Sequence, residues 1–239
     1  MRIGLPRLME RGLYLLISLM MWVIGLIGFW PGYLGPMLSG TLDKTGAVHL
    51  HVVVYVGWMI LFTVQSTLPM ARRGRLHRKI GRFGIGYGVL VWIMGLFVTF
   101  SRFADRVRLG DLDEARLRTL APFTDMLLFP ILFALAIHYR TQPELHKRFM
   151  VLAGTMLMVA AVARLALNGI IPQNAFLFLG IWLSPVFVAV AHDAWFQRRL
   201  HPVYGFGLLA LSVVPSRMAL AETEAWRSIT AWAARTLVS

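Results

Sequence analysis

Apolar residues fall in seven long runs, at residues 13–30, 51–70, 80–100, 121–139, 149–167, 175–196 and 203–220, separated by short polar segments. A helix needs ~20 residues to cross a hydrocarbon core of ~30 Å, so each run predicts a transmembrane helix. The seventh is the weakest, because Pro215 and Arg217 interrupt it, and a re-entrant segment is its alternative. The first run is too long for a signal peptide and no small-residue cleavage site follows it, so it reads as a retained signal anchor. The pattern predicts an all-α fold, a polytopic membrane bundle of seven helices in one domain over residues 1–239. Two further helices are expected outside the spans. Asp111 and Glu114 have the spacing of an N-cap before residues 115–120. Residues 221–239 set Trp226, Ile229, Trp232 or Ala233, and Leu237 opposite Arg227 and Thr230, which predicts an interfacial amphipathic helix.

Composition agrees with the pattern. Hydrophobic residues make up 58% of the chain and charged residues only 15%, with a mean hydropathy of +0.67, which excludes an ordinary soluble domain. The net charge of +13 would suit nucleic acid if it were clustered on a soluble face. It is instead divided by the spans. With the amino terminus inside, the inner segments carry fourteen Lys/Arg against three acidic residues, and the outer segments nine against seven. That bias follows the positive-inside rule and an odd number of spans, amino terminus in and carboxyl terminus out. Anionic lipid headgroups are therefore the expected partners of the basic loops, with no nucleic acid. The chain has no cysteine, so disulfides and thiolate chemistry are excluded.

Two residues break the apolar runs, and ionisable groups in hydrocarbon normally face a partner, an ion path or a ligand. Asp125 and Arg164 each lie one turn from the same end of antiparallel spans, so they are expected to pair near the outer membrane face. On the second span His51, Tyr55, Trp58, Phe62 and Gln65 share one helical face. That face reads either as an aromatic packing stripe or, with Asp125, Arg164 and Asn168, as the wall of a polar pocket. Gly81, Gly84, Gly88 and Gly95 form a stripe suited to close helix approach. His138 and His192 end two spans on the inner side and are the candidate ligands of a haem b or a metal. Leu76-His77-Arg78, Leu145-His146-Lys147-Arg148 and Leu200-His201-Pro202 each precede an outward span, and their histidines either anchor the helices or converge on an anionic headgroup or a metal. HExxH, GxSxG and P-loop motifs are all absent from the chain.

From His49 through Trp58, Gln65, Leu76-His77-Arg78 and Gly81-Arg82 to Phe123-Thr-Asp125, Glu144-Leu-His146-Lys-Arg148 and Arg164, the chain resembles bacterial multipass inner-membrane proteins of uncharacterised function. The resemblance covers residues 48 to 164 and implies the fold and the inner membrane, with no activity. Three functions follow from the residues: a binding or assembly factor whose polar pocket holds a lipid, a quinone-like molecule or a partner helix; a haem b oxidoreductase using His138 and His192 or His51; and a proton-coupled transporter in which Asp125 titrates. The charge bias also makes a topological prediction. A reporter fused after Arg75 is expected to behave as cytoplasmic and one at Asp111 as external; the reverse pattern inverts the assignment.

Overall fold

The computed structural model describes residues 5–238, and all side chains in that range except those of residues 5–11, 218 and 238. Arg2 and the side chains of Arg7, Glu10 and Arg11, which contribute to the charge asymmetry, lie outside the described residues. Every regular element among the described residues is helical. Six helices are long and apolar enough to cross a membrane: α1 (Leu5–Phe29, continued by a π-helical turn and a last turn to Leu38), α2 (Gly46–Met70), α3 (Gly74–Arg108), α4 (Leu112–His138), α5 (Pro143–Leu167) and α6 (Ala175–His192, continued as a π-helical turn to Gln197). The seventh run is broken as its Pro215 and Arg217 suggest. It forms α7 (Pro202–Leu211), one further turn (Val213–Ser216) and a 3-10 turn (Arg217–Leu220), shorter than the six. The chain ends in α8 (Glu224–Val238).

Neighbouring helices close a ring. α1 packs on α2, α2 on α3, α3 on α4, α4 on α5, and α5 back on α1; α6 covers α1 and α5 from outside, and α7 packs on α5. The middle of the ring is filled rather than open. Trp58 of α2 meets Phe129 and Phe133 of α4 edge-on, with centroids 6.0 and 5.5 Å away. A Cβ at Gly154 of α5 would touch Met21 of α1 and Phe62 of α2. α5 is the most enclosed helix, because it is a wall of the ring and also the support for α6 and α7.

The loops at residues 71–73, 139–142 and 198–201 share one end of the bundle, here called the basic end. Lys147, near the start of α5, lies over the Tyr14 ring of α1, so the beginning of α1 is at this end as well. α8 lies at the other end. Its Trp226 and Ala233 pack with Leu120, Phe103 and Ala115, where α3 and α4 extend together beyond the rest of the bundle. At 35 residues, or ~52 Å, α3 is much longer than a bilayer core. The polar stretch 101–120 is thus mostly the ends of two long helices, turned at Gly110 (φ +85°), where a side chain would strain the backbone. Asp111 caps α4 as its spacing predicts, accepting the Glu114 N–H at 2.9 Å. The amphipathic reading of α8 needs one correction: Thr230 faces the protein with Trp226 and Ala233, while Ile229 and Trp232 are exposed.

Prolines inside the spans leave main-chain carbonyls without their helical N–H, a cost hydrocarbon cannot offset with water. At three of them a side chain meets the freed carbonyl. Pro130 frees the Met126 carbonyl, which accepts Trp92 Nε1–H at 2.7 Å. Pro185 frees that of Ile181, which accepts the Ser184 hydroxyl at 2.7 Å. Pro69 frees that of Gln65, and His77 Nδ1 lies 3.2 Å from it.

The glycine stripe on α3 works differently from expectation. Gly88 makes room for the Phe133 ring and Gly95 for Met126 and Tyr55, whereas Gly84 and Gly81 have ordinary clearance. The contacts are side chains filling notches, not a helix backbone. Backbone-close packing occurs instead at Gly28, where a Cβ would overlap the Ala161 carbonyl. Gly88→Leu and Gly28→Leu are therefore expected to lower thermal stability in detergent by overpacking, which typically costs ~1–3 kcal/mol. Gly86 faces open space, and Gly86→Leu should leave the melting temperature within error of the parent chain.

Candidate functional site

Asp125 pairs with Arg217, not with Arg164. Depth is the reason. Asp125 is 13 residues from the basic-end terminus of α4, ~20 Å, whereas Arg164 is 21 residues from that of α5, ~32 Å. The chain beyond α7 reaches the depth of Asp125 when it breaks at Pro215, and there Arg217 turns inward. Its guanidinium bonds the Asp125 carboxylate, the Thr124 hydroxyl at 3.2 Å and the Ala121 carbonyl at 3.2 Å. Both side chains are about nine-tenths buried. Arg217 was legible only as an interruption of the seventh run; nothing in the sequence pointed it at α4.

A second buried pair joins α5 to α6. Arg148 is fully buried and donates from Nε to Asp193 Oδ2 at 2.9 Å, from Nη1 to Glu144 Oε2 at 2.7 Å, and from Nη2 to Asp193 and to Gln197 Oε1 at 3.3 Å. Tyr204 of α7 donates to the same Asp193 oxygen at 3.1 Å. The π-helical turn at Asp193–Gln197 is what presents both Asp193 and Gln197 to the guanidinium. Both residues of this pair counted as loop charges in the sequence; they are part of the core.

The repeated Leu-His motif resolves into two roles. His77 and His146 reach back to carbonyls of the preceding helices, His146 Nδ1 to Ala136 at 2.8 Å, and their rings meet edge-on with centroids 6.3 Å apart. His201 does not join them. It caps α7 by accepting the Val203 N–H at 3.3 Å, and partial burial with Arg148 nearby holds its imidazole below the usual range, which suits an acceptor.

The seven residues of the expected pocket are spread over the bundle. Gln65 lies at the basic end against His77 and Gly81, Trp58 is packed in the middle, and Asn168 is an exposed cap beyond α5. Asp125 belongs to Arg217. Three remain together at the opposite end, around the mouth of the ring: His51, Tyr55 and Arg164. The His51 ring tilts over Tyr55 at 4.1 Å, and Tyr55 donates to the Val91 carbonyl at 3.3 Å. Arg164 is exposed at the mouth, over the Phe29 ring at 4.5 Å, with one bond, from Nη1 to the Ala160 carbonyl at 2.8 Å. Among the described residues it has no carboxylate partner; the His51 Nδ1 is buried and has no hydrogen-bond partner. His138 and His192 do not face one another. His138 opens into a groove between α3 and α4, while the His192 ring tilts against Phe196 at 4.8 Å next to Asp193. No group of three or more metal-ligating side chains forms among the described residues.

Fold and site define the class, a multipass helical membrane bundle that, among the described residues, has two buried ion pairs and an arginine without a carboxylate partner at the ring mouth. No family model, curated protein or solved structure matches the chain.

Breaking a buried pair on one side leaves an uncompensated charge, which typically costs ~3–5 kcal/mol, while removing both is much cheaper. Asp125→Asn and Arg217→Gln are each expected to lower folded yield and melting temperature more than the double variant. Arg164→Gln, which strands no partner, should leave both unchanged. Additive losses for Asp125 and Arg217 would show that the two residues act independently.

Proposed function

We propose that this protein is a membrane binding protein that takes an anionic group, a carboxylate or a phosphate, at the mouth of the five-helix ring. One observation carries the reading: Arg164 presents at the ring mouth a guanidinium with a single backbone bond and, among the described residues, no carboxylate partner. Guanidinium binds carboxylate and phosphate bidentately, so Arg164 offers a two-donor cradle at the ring mouth. Phe29 lies beneath the guanidinium and Tyr55 against the His51 ring, so the wall around the Arg164 donors is set before a ligand arrives. The filled interior favours binding at the mouth over passage through the ring, and the Arg217 pairing of Asp125 gives that carboxylate a structural role in place of proton transport. The separate settings of His138 and His192 weigh against a shared haem.

The test is a titration of the purified full chain with a fluorescent fatty acid and, separately, with inorganic phosphate. Charge-assisted hydrogen bonds contribute ~1.5–3 kcal/mol, so Arg164→Gln is expected to weaken binding by about tenfold or more, and His51→Ala by less. Saturable binding of the fatty acid alone supports an amphiphile headgroup; competition by phosphate supports a soluble anion. Unchanged affinity in Arg164→Gln, with intact folding, overturns the reading.

A further inference from the structure

The groove between α3 and α4 lies at the basic end, away from the ring mouth. Its volume is about 410 Å³, and apolar side chains line it except at its mouth, where His138 and Arg140 stand. From there it runs along α3 from Ile85 to Trp92, seven residues or ~10 Å, which takes it partway through one leaflet of a ~30 Å core.

The walls are fixed. Trp92 is pinned because Pro130 leaves the Met126 carbonyl free to accept its indole N–H, and Phe133 is seated because Gly88 has no side chain. The slot therefore does not depend on a ligand to form, which lowers the ordering cost of filling it. At the mouth, the Arg140 guanidinium has one bond, to the Ile137 carbonyl at 3.2 Å, and no carboxylate partner among the described residues. The same end carries Arg72, Arg73, Arg75, Arg78, Lys79 and Arg82, none of them ion-paired among the described residues. Clustered cations beside a span attract anionic headgroups at ~1 kcal/mol each.

We infer that this groove is a binding slot for one anionic phospholipid of the leaflet at the basic end, with an acyl chain between Trp92 and Phe133 and the phosphate on Arg140 and His138. The long-range field of the loop selects the leaflet lipid by charge, and the slot holds one molecule in place. This site is independent of the anion cradle at the ring mouth, so each can fail without the other.

Native mass spectrometry of the full chain, exchanged into equal amounts of phosphatidylglycerol and phosphatidylcholine of the same chain length, reads both features. One phosphatidylglycerol is expected to persist at collision energies that strip phosphatidylcholine. Ala134 and Val89 are exposed on the two walls, and Ala134→Trp or Val89→Trp should remove the persistent lipid at unchanged melting temperature. Arg140→Gln should lower the preference for phosphatidylglycerol several-fold while a lipid is still retained. Substituting Arg72, Arg73 and Arg75 by Gln should leave the single tightly held molecule in place. Retention unaltered in both folded tryptophan variants, or a preference unaltered in Arg140→Gln, overturns the inference.

Discussion

A guanidinium buried in a membrane bundle needs a partner for every N–H, and the packing around α5 is organised by that requirement at Arg148. Its donors are taken up by Asp193, Gln197, the Glu144 side chain and the Glu144 carbonyl. Because Asp193 and Gln197 come from the π-helical end of α6, and Tyr204 of α7 shares the Asp193 carboxylate, one residue on α5 determines where two other elements sit. An apolar side chain in its place would free α6 and α7 from that register and leave a carboxylate in hydrocarbon, the costlier error. Lys147 over Tyr14 attaches α1 to the same end.

The second ion pair applies the same constraint to the other half of the chain. α7 is too short to cross alone, so its continuation needs something other than length to hold it at depth. Arg217 provides it by meeting Asp125 in the middle of α4. From that point the chain emerges toward the paired ends of α3 and α4, where Trp226 donates to the Arg116 carbonyl at 3.1 Å and seats α8. The two ion pairs thus position most of the chain beyond α6. The carbonyls freed by Pro69, Pro130 and Pro185 express the same rule on a smaller scale, met in turn by a ring, an indole and a hydroxyl.

These pairings also sort structure from function. Charges whose bonding is complete are scaffold, and Arg148, Asp193, Asp125 and Arg217 fall in that group. Arg164 and Arg140 are different: among the described residues each has one backbone bond and no acidic partner, and each stands at the edge of the apolar interior. One lies at the ring mouth and the other at the mouth of a lipid-facing groove. Incomplete bonding at a boundary is where a ligand gains most from its charge.

Periodicity and length were enough to determine the helices, because hydrocarbon permits few other ways to satisfy a backbone. The six long spans, the Asp111 cap, the break at Pro215 and the accumulation of cations at one end could all be read residue by residue. The pairing of Asp125 could not. Two intramembrane charges of opposite sign suggested each other, but the true partner sits in a segment whose depth depends on how α7 is held, and that is a property of the assembled bundle. Arg148 and Asp193 looked like loop charges because a helix end in sequence carries no information on whether other helices cover it. The expected pocket failed for a related reason: residues sharing one helical face over fourteen positions span ~21 Å of depth, so Gln65 and His51 cannot meet one ligand. Sequence determined which residues are costly to bury; only the tertiary structure decided which of them find partners, because partnership is set by depth and register between helices far apart in the chain.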